Sequence, residues 1–232
     1  MAGARPGDRG ARSRDDSLED FFTRFPVLLG REATPAERAA FERYTDLLLV
    51  WNRTHHLTSL RTRAAIGRGL FLDALLFRAL FPSRPVRIAD VGAGAGIPGI
   101  PIRVIDPTVS LTLIDSRRKP ISFLHAVARE LALHDVQIRH ARVEELTEAE
   151  SELNGTFDLV LTRSVGLEPA FIRSSLLLLR PGGELLAAGP PSDKPAPRVD
   201  WPGVAEWKTI SFDMLGMTRR FFVARQERLM SG

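Results

Sequence analysis

Three acidic residues, four glycines and one arginine stand at spacings that could hold a small charged ligand. Asp90 closes the apolar run Val86-Arg-Ile-Ala-Asp90; glycines follow at 92, 94, 96 and 99, and Pro98 stands before a second apolar run. Asp115 closes Leu111-Thr-Leu-Ile-Asp115, Glu144 lies in Arg142-Val-Glu144, and Arg163 follows Phe157-Asp-Leu-Val-Leu-Thr162. Glycine reaches φ > 0 and carries no side chain, so a ligand can approach its backbone closely. Pro98 is suited to a first helical position, where its missing N–H costs nothing. A strand, a glycine turn and a helix in that order predict the nucleotide-binding corner of a doubly wound α/β sheet.

The nucleotide is open at this point. Gly94-Ala-Gly96-Ile-Pro-Gly99 fits G-x-G-x-x-G, and Asp115 follows Gly94 by 21 residues, so a nicotinamide dinucleotide is a real competitor. Three features favour S-adenosyl-L-methionine instead: Asp90 directly before the Gly92, Gly94, Gly96 series, Asp115 ending the second strand beside an adenosine ribose, and Val143-Glu144 after the third strand, where adenine would lie. Each residue also has a purely structural reading. Asp90 could be a helix or turn cap, Asp115 a strand-end cap and Glu144 a solvated helix charge, and the glycine turn could bind nothing.

Alternating strands and helices must position these groups. Strands are predicted at 86–91, 110–115, 136–141, 157–162 and 183–188, with helices near 98–104, 117–133 and 166–179. Pro181-Gly182-Gly183 reads as a turn into the fifth strand, and 207–212 with 219–225 reads as a terminal hairpin. The expectation is a mostly parallel, seven-stranded, Rossmann-like α/β sheet of the class I methyltransferase type. Residues 17–83 predict an N-terminal helical extension: Thr34-Pro-Ala-Glu37 fits a capping box, and Phe41, Tyr44, Leu47, Leu48 and Trp51 form a core stripe. A second helical pattern runs from 63 to 81, and Pro82 and Pro85 then mark a break. The predicted organisation is a disordered basic tail over 1–16, the helical subdomain over 17–83 and the methyltransferase domain over 84–228. The long loop 189–203 lies near the expected sheet edge.

Composition narrows the classes further. The chain has 232 residues, 44% hydrophobic, with a net charge of +4, and arginine greatly outnumbers lysine. That allows one good core. It contains no cysteine, which excludes disulfides and thiolate metal sites and suits a cytoplasmic protein. No apolar run reaches the roughly 18 to 20 residues of a membrane span, and the tail lacks the apolar core of a signal peptide. The histidines lack metal-ligand spacing, so no metal is expected.

Asp90-Val-Gly-Ala-Gly-Ala-Gly-Ile-Pro-Gly-Ile100, Asp115-Ser-Arg-Arg-Lys119 with Phe123-Leu124, and Arg142-Val-Glu144 resemble the bacterial guanine-N7 methyltransferases of small-subunit ribosomal RNA, also called glucose-inhibited division protein B. Leu48-Leu-Val-Trp51-Asn52 and His56-Leu57-Thr58 are similar to a further segment of that family, and the likeness spans about residues 41 to 165. Departures are Leu70-Phe-Leu-Asp73-Ala74-Leu75 for the family's His-x-x-Asp-Ser-Leu, Pro120 for a lysine, Ser164 for an alanine, and Gly189-Pro190 for a Lys-Gly. The resemblance implies methyl transfer from S-adenosyl-L-methionine to N7 of a guanine in 16S ribosomal RNA, with donor contacts at Gly92, Ile97, Asp115, Val143, Glu144 and Arg163.

Guanine N7 carries a lone pair and no proton, so this transfer needs alignment and no general base. Arg163 is the expected positioning residue, orienting the guanine or the donor; the structural alternative is an ion pair with Asp158 or Glu144. Arg117, Arg118, Lys119, Arg139, His140 and Arg142 are the expected RNA contacts, with a solvated charged face as the alternative. The expected partner is 16S rRNA or the small ribosomal subunit, bound by a monomer. A methyltransferase of another RNA or of a small molecule, a nicotinamide oxidoreductase and a non-catalytic RNA-binding module are the rivals.

Overall fold

The computed structural model describes residues 16–78, 80–81, 86–147, 151–163, 168–189, 205–212 and 216–225. Residues 1–15 of the expected tail, Pro82 and Pro85, Ser164, and the 189–203 loop beyond Gly189 lie outside that set.

The chain begins with short helices α1 (Glu19–Phe22) and α2 (Phe25–Leu29) and the long α3 (Pro35–His55). The Thr34 hydroxyl accepts from the Glu37 amide at 3.2 Å while the Glu37 carboxylate accepts from the Thr34 amide at 2.7 Å. This reciprocal cap, with Pro35 at the first helical position, sets where α3 begins. The 63–81 segment is not one helix. It runs as α4 (Arg63–Ile66), a π-helical turn (Gly67–Leu72) and α5 (Asp73–Arg78). A Cβ on Gly67 would stand 3.0 Å from the Phe21 Cβ, and one on Gly69 2.8 Å from the Leu60 Cδ1, so the widened turn passes its neighbours too closely for side chains there.

The sheet follows as β1 (Arg87–Val91), β2 (Ser110–Asp115), β3 (Val136–His140), β4 (Phe157–Thr162), β5 (Leu179–Ala188), β6 (Ala205–Phe212) and β7 (Met217–Arg225). Between them lie α6 (Gly99–Ile105), α7 (Arg118–Glu130), α8 (Val143–Leu146) and α9 (Pro169–Leu177). The strand order is β3-β2-β1-β4-β5-β7-β6, with β7 antiparallel to both its neighbours. β5 is longer than the sequence suggests. Leu179 already pairs with Phe157, and Pro181-Gly182-Gly183 forms a register shift inside the strand, Gly182 at φ +78°, instead of a turn before it.

Side chains alternate between two cores, as a pleated strand requires. Ile88, Leu111, Leu113, Leu159, Leu161, Leu186, Phe221 and Val223 face one apolar cluster, shared with α6, α7 and the N-terminal helices. Ala89, Val91, Ile114, Val160, Leu185, Ala187, Phe222 and Ala224 face the other, against α8 and α9. On the first face Phe21 sits among Phe22, Phe25, Phe41 and Phe71 at ring-centre distances of 4.9–5.6 Å. Edge and tilted ring pairs add to the burial of each ring, and truncating a buried Phe costs about 3–5 kcal/mol. Helices and sheet are thus joined by one continuous core. The chain leaves β1 outward to β2 and β3 and returns to β4 on its other side. That reversal opens a crevice at the strands' carboxyl ends.

Candidate functional site

A cavity of about 770 Å³ lies in that crevice. The volume is in the range of small-molecule sites. Its floor is the turn after β1. Gly92, Gly94 and Gly96 take φ of +73°, +55° and +82°, a left-handed run that a side chain would strain. The Ile114 carbonyl accepts from the amides of Gly92 and Ala93 at 2.9 and 3.0 Å, tying the turn to β2. From behind, the buried Tyr44 hydroxyl of α3 donates to the Ala95 carbonyl. Burial holds the Tyr44 phenol well above its ordinary pKa, and the Asp90 charge pushes the same way, so it remains a donor. Tyr44, expected as plain core, thus also fixes the turn.

Asp90 does not line the cavity; it lies beneath the turn, fully buried. Its Oδ2 accepts from the Gly99 amide at 2.8 Å at the start of α6, and its Oδ1 has no hydrogen-bond partner among the described residues. Burial raises its pKa to about 7, against the pull of the Gly99 hydrogen bond; the Asp115 charge adds to the rise and Arg163 opposes it. Pro98 caps α6 from just outside, so the helix starts one residue later than expected. Gly96 likewise shapes the turn without facing the cavity. A Cβ there would meet the Ile100 side chain at 2.4 Å.

Asp115, Gly92, Gly94, Ile97, Val143, Glu144 and Arg163 all border the cavity. Asp115 is nearly buried; its Oδ2 accepts from the Gly94 amide at 2.9 Å and its Oδ1 from the Arg117 amide at 2.8 Å. The Arg117 guanidinium occupies the remaining lone pairs, Nε to Oδ1 at 3.2 Å and Nη2 to Oδ2 at 3.3 Å. The Arg117 side chain is 69% exposed, so its guanidinium can turn aside and leave both oxygens to a ribose diol. Val143 is buried at the start of α8 and Glu144 is half-buried beside Arg142, 3.6 Å away.

Sequence reasoning missed part of the wall. Leu57, Thr58 and Leu70 come from the helical extension, and Ala170 and Phe171 from α9. Thr58 is held by the buried Asn52, whose Oδ1 accepts from the Thr58 amide at 3.0 Å and whose Nδ2 donates to the Leu60 carbonyl at 3.1 Å. The Trp-Asn segment therefore builds a cavity wall. Trp51 packs edge-on against Phe123 at 5.7 Å, as core.

Arg163 pairs with neither Asp158 nor Glu144. Its Nε donates to Asp73 Oδ2 at 2.9 Å and its Nη2 to the Gly69 carbonyl at 3.0 Å, 90 and more residues away in sequence. Asp158 instead pairs with Arg180 at 2.5 Å. The expected RNA contacts divide. Arg117 and Arg142 stand on the cavity rim, and Arg118 and Lys119 are exposed at the start of α7 beside it. His140 is exposed, its Nε2 3.1 Å from the Ser116 carbonyl. Arg139, on the edge strand β3, is turned to Gln137 of the same strand at 3.3 Å and to Glu152 ahead of β4 at 3.4 Å. No helix among the described residues is long and apolar enough to cross a membrane. Among those residues no group of three His, Asp or Glu side chains could hold a metal.

The donor set fits an adenosyl group: a strand-end carboxylate for two hydroxyls, a glycine turn whose bare backbone a ligand can approach closely, and an apolar slot at Val143. With the single antiparallel strand near the sheet edge, these features define a class I S-adenosylmethionine-dependent methyltransferase. A solved structure of TrmN from Thermus thermophilus has the same fold, with a TM-score of 0.50 at 20% identity, covering 72% of this chain and 54% of that one. The sequence profile of the family described as rRNA small subunit methyltransferase G matches residues 37–190, and the chain belongs to that family. Relatives named ribosomal RNA small subunit methyltransferase G include one from Streptococcus sanguinis, 34% identical over 68% of this chain and 67% of its own length, and one from Chloroflexus aggregans, 36% identical over 64% and 62%. The chain is accordingly an enzyme that uses S-adenosyl-L-methionine.

Proposed function

We propose that this protein methylates N7 of a guanine in 16S ribosomal RNA, acting as a monomer in the cytoplasm on the RNA or the small subunit. The observation that carries the reading is the open cavity itself. Asp115 and the glycine turn line it, and Arg117, Arg142 and Arg163 border it as well, so that three cations surround the crevice where a polyanionic acceptor would enter. S-adenosyl-L-methionine supplies a methyl group on a cationic sulfur. Asp115 would hold the ribose of the adenosyl moiety, against the bare backbone of the glycine turn. Val143 gives the adenine an apolar face. N7 has no proton to lose, and Asp90, a carboxyl that burial pushes up to about 7, lies away from the cavity. What the protein contributes is therefore alignment and exclusion of water, worth several kcal/mol and up to about 7–11 in ideal intramolecular cases.

The test is transfer of tritiated methyl to unmodified 16S RNA and to 30S particles, followed by mapping of the labelled base. Label at a single guanine, lost on treatment that cleaves at N7-methylguanine, is the expected result. Label confined to small molecules, or strong NAD binding without donor binding, overturns it.

A further inference from the structure

Asp73 stands in an otherwise apolar run of the helical extension and is 8% exposed. A buried carboxylate needs partners, and this one has two from the sheet. Its Oδ2 accepts from Arg163 Nε at 2.9 Å and its Oδ1 from Arg219 Nε at 2.5 Å. Arg163 follows the carboxyl end of β4. Arg219 lies near the start of antiparallel β7, two residues before the Phe221 that pairs with Ala188 at the end of β5. Both arginines thus lie at the same end of the sheet, where the parallel strands finish, and one carboxylate spaces them. Two guanidinium groups against one carboxylate leave a net positive charge in a half-buried place, with side-chain exposures of 27% and 35%. Each guanidinium has five N–H donors in a rigid fork. Arg163 uses one on Asp73 and one on the Gly69 carbonyl; Arg219 uses one on Asp73 and a long one, 3.4 Å, on the Thr218 carbonyl. Among the described residues the rest of each fork has no partner, and Arg163 borders the cavity where the acceptor base must meet the donor.

We propose that Arg219 is an RNA-binding residue that receives a backbone phosphate beside the entering base, and that Asp73 is a positioning residue that aims both forks. The proposal rests on an RNA acceptor for the same cavity. The excess charge gives the site its ligand class: a phosphate is the anion a guanidinium fork matches bidentately, and an RNA acceptor brings one within reach of its own base. A second carboxylate would be expected if the cluster were only a structural tie.

The test uses the full chain with unmodified 16S RNA. In Arg219→Gln, RNA binding is expected to weaken about tenfold or more, and the slope of log affinity against log salt to flatten by roughly 0.7–0.9, one phosphate contact. Donor affinity by calorimetry stays unchanged. Arg219→Lys keeps the slope but still raises KM for RNA, since the charge remains and the fork is lost. Asp73→Asn separates aiming from charge: the added net charge by itself would favour RNA binding, so a fall in kcat of about tenfold with RNA affinity retained is the signature of lost positioning. Unaltered RNA affinity and salt slope in Arg219→Gln, with only a lower Tm, overturn the phosphate site. Unchanged kcat in Asp73→Asn overturns the positioning role. A wild-type protein that binds donor but no RNA overturns the acceptor itself, a result distinct from either.

Discussion

Asp90→Asn changes one atom type at a fully buried position, and its effect on stability should reverse with pH. The carboxyl lies behind the glycine turn, with one oxygen on the Gly99 amide and the other without a partner among the described residues. Its pKa rises from the ordinary 3.8 to about 7, chiefly through burial. The folded state therefore keeps a proton that the unfolded chain has released between those two values. Stability from this group is complete below about pH 4 and is lost as pH rises through about 7. That displacement corresponds to at most about 4 kcal/mol, since one pH unit is about 1.4 kcal/mol. Asparagine can still accept from Gly99 and never ionises. Urea unfolding of both proteins between pH 4.5 and 8 gives the difference directly, because the other titrating groups cancel. The wild type should lose ground to the variant steadily across that range, by about 2–4 kcal/mol in total, and the variant should be the more stable at pH 8. A flat difference would show that Asp90 does not hold its proton. A difference moving the other way would show a buried, stabilising carboxylate, and the assignment of burial as the dominant cause would be wrong.

Arg117→Ala should bind S-adenosyl-L-methionine up to about fivefold more tightly, because an exposed ion pair of at most about 1 kcal/mol no longer competes for Asp115; calorimetry decides, and unchanged or weaker donor binding would remove Arg117 from the donor pocket. Asp115→Asn should weaken the same binding about ten- to a hundredfold, from the loss of charge-assisted hydrogen bonds worth about 1.5–3 kcal/mol. Gly96→Ala should cost about 2–4 kcal/mol, combining a left-handed φ with the clash against Ile100, and lower Tm by roughly 5–15 °C in a scanning melt.

Local chemistry made much of the fold readable. Residues 110–115 and 157–162 are strands with the same bounds in sequence and structure, because apolar runs between turn residues have no other use in a parallel sheet. Thr34 and Glu37 announce α3 for a similar reason: a cap is satisfied within four residues. Features set by distant neighbours were not readable. The π-helical turn at Gly67–Leu72 answers to Phe21 and Leu60, and the extension of β5 through Pro181 answers to its pairing with β4. The donor side of the site was legible because its residues sit at strand ends. The partner of Arg163 was not, because Asp73 comes from another layer. A lone acid in Leu70-Phe-Leu-Asp-Ala-Leu75 was the available signal, since a buried charge must find an opposite one. Asp90 looked like a ligand contact from its place in the motif; only packing shows that its carboxyl faces Gly99.

The apolar cluster that runs from Phe21 through Phe71 to Leu111 and Leu161 has a consequence for engineering. The helices ahead of the sheet are not a detachable module. Deleting them would uncover the apolar surface that α6, α7 and Phe221 of β7 share with them, and take away Thr58 together with the phenol behind Ala95. A chimaera that borrows this segment from a homologue would have to recut the nest of rings against its new sheet before the donor pocket could close again.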